Sequence, residues 1–120
     1  MKDAQKLSFA EFLKAFDDLV ARSRKGTISP DDFMGTTVSL TNPGTVGTFA
    51  STPRLMPGQG AIIATGAMGY PTEFSAMPEE VLGALGIARV MNVSSTYDHR
   101  IIQGAESGHF LGTLQDLLQG

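Results

Sequence analysis

The sequence predicts an α/β fold, a mixed sheet flanked by helices, and three observations carry that prediction. "SFAEFLKAFDDLVARSRKG" and the run from about Gly104 onward repeat apolar residues at helical spacing. "TTVSLT", "GAIIATGAM" and "ARVMNVSSTY" are short apolar or alternating runs set off by Gly, Pro or Asn, the pattern of strands. With a short helical segment between the last two, the order is helix, strand, strand, helix, strand, helix, a layered arrangement around a small sheet.

Each element has its own local reason. Ser8 and Glu11 fit the S-x-x-E capping box, in which each side chain satisfies a free amide at a helix start. Phe9, Phe12, Leu13, Phe16, Leu19 and Val20 then fall on one stripe, so this amphipathic helix is expected to lie on a core. Arg22, Arg24 and Lys25 suit the negative end of its dipole, and Gly26 supplies the stop. "ISPDDFMG" reads as a short turn of helix with Ser29 as cap and Pro30 at the first position. In "TTVSLT", Val38 and Leu40 face one way while Thr37, Ser39 and Thr41 face the other; "NPGTVGT" follows as a turn or loop.

"GAIIATGAM" is a continuous apolar strand, expected to be buried on both faces. "MPEEVLGALG" is a short helix opened by Pro78 and two acids and closed by Gly86. In "ARVMNVSSTY", Met91, Val93 and Tyr97 share one face, and Asn92, Ser94 and Thr96 the other. Extended geometry persisting past Tyr97 would put His99 on the face of Tyr97, pointing inward. The last helix sets Phe110, Leu111, Leu114, Leu117 and Leu118 on one side. Met34, Met56, Met68, Met77 and Met91 follow no helical spacing and are expected to fill gaps in the core.

At 120 residues the chain is expected to be one domain with an ordinary core. A net charge of −3 and no basic stripe argue against a nucleic-acid partner. The absence of cysteine excludes disulfides, thiolate metal sites and a cysteine nucleophile, and suits a cytoplasmic protein. No 18-residue apolar run and no signal-peptide pattern occur, so no membrane partner is expected. Charge is unevenly spread: residues 1–32 carry 12 of the 21 charged side chains, and residues 33–97 only five. Solvent surfaces are normally rich in charge, so much of that middle stretch is expected to be covered by another subunit or by further polypeptide. The alternative is a Gly/Ser/Thr surface, polar without being charged.

Few side chains suggest chemistry. Asp17/Asp18, Asp31/Asp32 and Glu79/Glu80 are adjacent pairs that point in different directions on a helix, and two of the pairs lie in first turns, where acids suit the dipole. The glycines of "NPGTVGT" and "PGQGAIIATG" lack the G-K-[ST] of a phosphate loop and the third glycine of a dinucleotide fingerprint, so they read as turn residues. His99 and His109 are ten apart with no second acid at ligand spacing, so no metal is expected. His109 reads as a helix-face residue. His99, between Asp98 and Arg100, is either a packed histidine or a proton-transfer group, and the residue patterns alone leave both open.

"GTTVSLTNPGTVGT", then "TPRLMPGQGAI", then "STYDHRIIQGAESGHFL" together resemble the catalytic domain of the dihydrolipoyl acyltransferases of 2-oxoacid dehydrogenase complexes. The wording is most similar to the succinyltransferase-like segment of the fused, multifunctional 2-oxoglutarate dehydrogenase/decarboxylase of actinobacterial type. The resemblance implies a chloramphenicol-acetyltransferase-like fold, assembled as homotrimers with active sites at subunit interfaces. It also implies that residues 1–120 are the C-terminal part of one such domain. The family motif D-H-R-x-x-D-G maps onto Asp98, His99, Arg100 and Gly104, with His99 as general base. Gln103 occupies the acidic position, as it does in the fused enzymes. Asp98, Arg100 and Gln103 would order the site, Thr41 would donate to the oxyanion, and Asn42 and Gly44 would meet the substrate.

The implied reaction moves an acyl group, expected to be succinyl, between dihydrolipoamide and coenzyme A, both substrates. A lipoyl domain and the other modules of the dehydrogenase complex are the implied partners, in the tricarboxylic acid cycle. One alternative is a non-catalytic, trimer-forming core; another is transfer from coenzyme A to a small free acceptor.

Overall fold

The computed structural model describes all of residues 1–120, which form two compact units, 1–36 and 37–120. In the first, α1 (Phe9–Arg24) begins at Ser8 with the expected capping box. The Glu11 carboxylate accepts from Ser8 N–H at 2.8 Å, and Glu11 N–H donates to Ser8 Oγ at 3.4 Å. Gly26, at φ 68°, ends the helix: Thr27 N–H reaches back to the Arg22 carbonyl at 3.0 Å and Gly26 N–H to that of Ser23 at 3.1 Å, a Schellman closure. After a short turn, α2 (Pro30–Phe33) starts at Ser29, whose N–H donates to Asp32 Oδ2 at 2.9 Å. Arg22 ties the helices together through two bonds to Asp32, each 2.8 Å, and a third to Asp18 at 2.9 Å. That fork holds the Asp32 carboxyl well below the usual carboxylate range.

The apolar stripe of α1 does not lie on a core. No residue of α1 or α2 is buried, and Phe9 is 80% exposed. Periodicity identifies which side chains share a face; it says nothing of whether apolar surface is present to cover them.

The second unit holds the sheet, of β1 (Val38–Thr41), β2 (Ala61–Thr65) and β3 (Val93–Tyr97) in the order β1-β2-β3. β1 runs parallel to β2, with Val38 opposite Ala61 and Thr41 opposite Ala64. β3 runs antiparallel, with Tyr97 opposite Ala61 and Val93 opposite Thr65. The mixed sheet is completed by α3 (Glu79–Ala84), opened at Pro78 and closed at Gly86 as expected, and α4 (Gly104–Gln119), which contacts β3.

The core is smaller than expected from chain length. Only four apolar side chains, those of Ile62, Ile63, Ala64 and Leu82, are buried, three of them consecutive in the central strand; Gly66, just past its end, is buried too. β2 is thus buried on both faces, as its continuous apolar run predicted. β1 alternates as expected, but its apolar side is the open one: Val38 and Leu40 are exposed while Ser39 and Thr41 are half-buried. Along α4, Leu111 and Leu114 are half-buried, whereas Phe110, Leu117 and Leu118 are exposed. The methionines are not core residues as a group. Met34, Met56 and Met68 are exposed, and Met77 and Met91 are half-buried.

Candidate active site

The strand β3 stops at Tyr97, and the chain turns. Asp98 N–H completes the sheet end by donating to the Gly60 carbonyl at 2.8 Å, and the Asp98 carbonyl accepts from Ile101 and Ile102 at 3.1 and 3.0 Å. His99 therefore lies in a tight turn and is exposed, which corrects the expectation that it points inward. The extended geometry that would have turned it inward ends two residues earlier. Its ring keeps company with Tyr97, centroids 5.6 Å apart and tilted by 42°.

Asp98 and Arg100 brace this turn from both sides of the histidine. Arg100 donates through its backbone N–H and Nε to Asp98 Oδ1 at 3.0 and 2.9 Å, and through Nη2 to Oδ2 at 2.6 Å. The guanidinium pulls the Asp98 carboxyl down to about 2 and is itself pushed up. A charge-assisted fork of this kind fixes geometry better than a neutral bond does. Gln103 follows as the cap of α4, where its N–H donates to Glu106 Oε2 at 2.7 Å and its carbonyl accepts from Ser107 at 3.1 Å. Glu106 was not singled out in the sequence, although an acid three residues past a cap is a readable signal.

Thr41 is at the far end of β1, half-buried, on the face it shares with Ser39. Ser39 Oγ is engaged with Gln59 Oε1 at 2.6 Å. Asn42 follows as the exposed start of a 3₁₀ turn, Pro43–Val46, and its carbonyl accepts from Thr45 Oγ1 at 3.0 Å. Gly44 packs directly on the Gly66–Ala67 peptide, so its lack of a side chain has a packing reason.

A single chain does not bring His99 and Thr41 together. Thr41 is level with Ala64 and Tyr97 with Ala61, on opposite sides of β2. Three residues of strand and two strand spacings separate Thr41 from Tyr97 by roughly 14 Å, and the chain then leads His99 further off. A reaction using both groups would draw them from two copies. On the opposite sheet face from Thr41, beneath α4, lies an apolar cavity of about 360 Å³ lined by Val38, Ile63, Tyr97, Ile101, Ile102 and Phe110 among others.

Two ion pairs away from this turn join elements of the fold. Asp32 serves Arg22, and Glu79 accepts from Arg89 at 2.7 Å. His109 is exposed on α4. No three histidine, aspartate or glutamate side chains converge as metal ligands would, and no helix is long and apolar enough to cross a membrane.

Mixed sheet, flanking helices and a histidine turn braced by Asp98 and Arg100 are the features of an acyltransferase core, and the chain belongs to the 2-oxoacid dehydrogenases acyltransferase (catalytic domain) family, matched over residues 1–120. Among individual proteins, it is 54% identical over 118 residues to the 2-oxoglutarate dehydrogenase E1/E2 component of Corynebacterium glutamicum. It is 53% identical, again over 118 residues, to the multifunctional 2-oxoglutarate metabolism enzyme of Mycolicibacterium vanbaalenii. Each match takes in 98% of this chain but only 10% of the relative's length.

The fold is similar to the truncated catalytic core of the 2-oxoacid dehydrogenase multienzyme complex of Thermoplasma acidophilum, with a TM-score of 0.77 and 25% identity over 99% of this chain and 49% of that one. It is also similar to a dihydrolipoamide acetyltransferase of Azotobacter vinelandii, investigated for the role of a serine, a histidine and an asparagine in its catalytic mechanism. There the TM-score is 0.69 and the identity 25%, over 93% of this chain and 44% of that one. The expected acyltransferase-type fold is thereby borne out.

Proposed function

We propose that residues 1–120 act as the C-terminal part of one acyltransferase catalytic domain, transferring an acyl group, succinyl in this reading, between dihydrolipoamide and coenzyme A. The observation that carries the proposal is the exposed His99 in a turn braced by Asp98 and Arg100, within a chain matched throughout by the acyltransferase family. The succinyl assignment draws on the 2-oxoglutarate enzymes to which the chain is similar. A lipoyl domain would present the dihydrolipoamide, and the tricarboxylic acid cycle would be the setting.

His99 acts as the general base on the attacking thiol. An ordinary thiol near pKa 8.5 and an imidazole near 6.5 make that transfer about 2.7 kcal/mol uphill, so it must be coupled to attack on the thioester carbonyl. The sulfur–carbon bond forms as the proton moves to His99, and Thr41 Oγ1 donates to the oxyanion. Collapse expels the second thiolate, which takes the proton back from the imidazolium. Because Thr41 and His99 lie at opposite ends of one sheet, the site is shared between neighbouring copies of a trimer, with Thr41 of one chain facing His99 of the next. Gln103 stands four residues after His99, and the Azotobacter histidine and asparagine have the same spacing, which favours a carboxamide at this position as compatible with catalysis.

In the assembled protein, His99→Ala should abolish thioester exchange. Thr41→Val should lower kcat about 10²- to 10³-fold with a much smaller change in KM, as for loss of one oxyanion donor. Co-assembling the two variants should raise exchange well above that of either alone, since some interfaces would then pair an intact histidine with an intact threonine. Unchanged turnover in either variant would remove that residue's role. The separation of the two groups within one chain also motivates a second reading, a trimer-forming core without chemistry; it predicts intact trimers with no exchange in the unaltered protein.

A further inference from the structure

Two glycines meet backbone to backbone beside the segment that carries Thr41. A side chain on Gly44 would collide with the carbonyl group of Gly66 and the nitrogen of Ala67, and one on Gly66 would collide with the Phe49 carbonyl. Neither residue has the left-handed φ that by itself favours glycine; those positions are Gly26, Gly35, Gly47, Gly58, Gly86 and Gly120. Close approach, not backbone conformation, is what requires glycine at 44 and 66. Hydrogen bonds surround the contact. Gly66 N–H donates to the Asn92 carbonyl at 2.8 Å and Ala67 N–H to the Thr48 carbonyl at 2.8 Å. The loop closes on itself through Gly47 N–H to Gly44 at 3.0 Å and Thr48 N–H to Pro43 at 3.3 Å.

We infer that Gly66 is a positioning residue: its bare Cα lets the Phe49 carbonyl close over it while its own peptide receives Gly44, and together these contacts fix the loop after β1 and, with it, the placement of Thr41. Thr41 and Gly44 are only three residues apart, joined by the 3₁₀ turn that begins at Asn42. The loop is clamped at its near end by the glycine stack and at its far end by Ala67 on Thr48. A methyl group at 66 must push away the Phe49 carbonyl, and with it the adjoining 43–48 loop, or shift the 66–67 peptide on which Gly44 and Thr48 rest, because the opposing atoms are backbone and cannot rotate aside. An ångström of displacement is enough to misplace an oxyanion donor. The inference rests on the proposed role of Thr41.

The test uses the assembled protein and four variants: Gly66→Ala, Thr41→Val, the double variant, and Gly108→Ala, whose added methyl meets open space on α4. Gly66→Ala should lower kcat for thioester exchange about 10²-fold with little change in KM for coenzyme A, while Gly108→Ala leaves both unchanged. In the Thr41→Val background, Gly66→Ala should cost less than about twofold more, since both act on one donor. A full multiplicative loss in the double variant, or an unchanged kcat in Gly66→Ala, overturns the inference. Thr41→Val alone reads the oxyanion assignment separately. Should Gly66→Ala fail to assemble, amide exchange in the unaltered protein decides. Protection of the Gly47 and Ala67 amides equal to that of Gly66 supports a loop locked to the sheet, and fast exchange at Ala67 and Gly47 refutes it.

Discussion

His99 is held by its neighbours in sequence, through a brace whose strength depends on pH. The Asp98 carboxyl is depressed to about 2, chiefly by hydrogen bonds from the Arg100 side chain and then by the Arg100 backbone N–H. A depressed carboxylate stabilises the turn at any pH above its ordinary value near 3.9 and loses that contribution as pH falls toward about 2. Carbon-detected NMR titration should find Asp98 still ionised at pH 3. In Arg100→Ala, its midpoint should rise toward the ordinary carboxylate value, and the His99 resonances should broaden as the turn loosens. An Asp98 midpoint that ignores Arg100→Ala would mean the fork does not act in solution.

Elements were legible in the sequence to the degree that their causes are local. The capping box at Ser8, the stop at Gly26, the cap at Ser29 and the Pro78–Gly86 helix depend on a few adjacent residues, and all formed as read. The alternation that put Thr41 opposite Val38 and Leu40 is likewise local and correct. His99 points outward because β3 ends where Asp98 bonds to the distant Gly60 and the chain then turns locally, with the Asp98 carbonyl accepting from Ile101 and Ile102. The Gly44–Gly66 contact was invisible because it joins residues 22 apart, and each glycine looks like an ordinary turn residue in sequence.

Burial also escaped local reading. Leu82, 1% exposed, anchors α3, whereas Val81 and Leu85 on the same short helix are exposed. Leu82→Ala should therefore destabilise the second unit by about 2 to 5 kcal/mol in denaturant titration, and Leu85→Ala by far less. Equal losses at the two positions would show that the buried anchor is not where the structure puts it.

At the scale of the whole molecule, four buried apolar side chains stand against a long roster of exposed ones, including Val38, Leu40, Val46, Phe49, Met56 and Met68 in the charge-poor middle. Such a surface is the mark of an interface. The chain should associate with rising concentration in sedimentation velocity. Leu40→Lys, at a position 71% exposed, should shift it to smaller species without altering its far-UV circular dichroism. An unchanged size distribution would mean that the open face of β1 is not among the covered surfaces.

The connections within the sheet add a matter of timing. β1 ends at Thr41, its parallel partner begins only at Ala61, and the third strand finishes at Tyr97. At ribosomal rates of about 5 to 20 residues per second, roughly 3 to 11 s pass between synthesis of Thr41 and of Tyr97. From the completion of Thr65 to the end of that interval the nascent chain carries an apolar central strand without its antiparallel neighbour. Long-range pairings form slowly in any case. The central strand is thus left with an open edge until β3 has been made, and that edge is what a chaperone at the tunnel exit would have to shield.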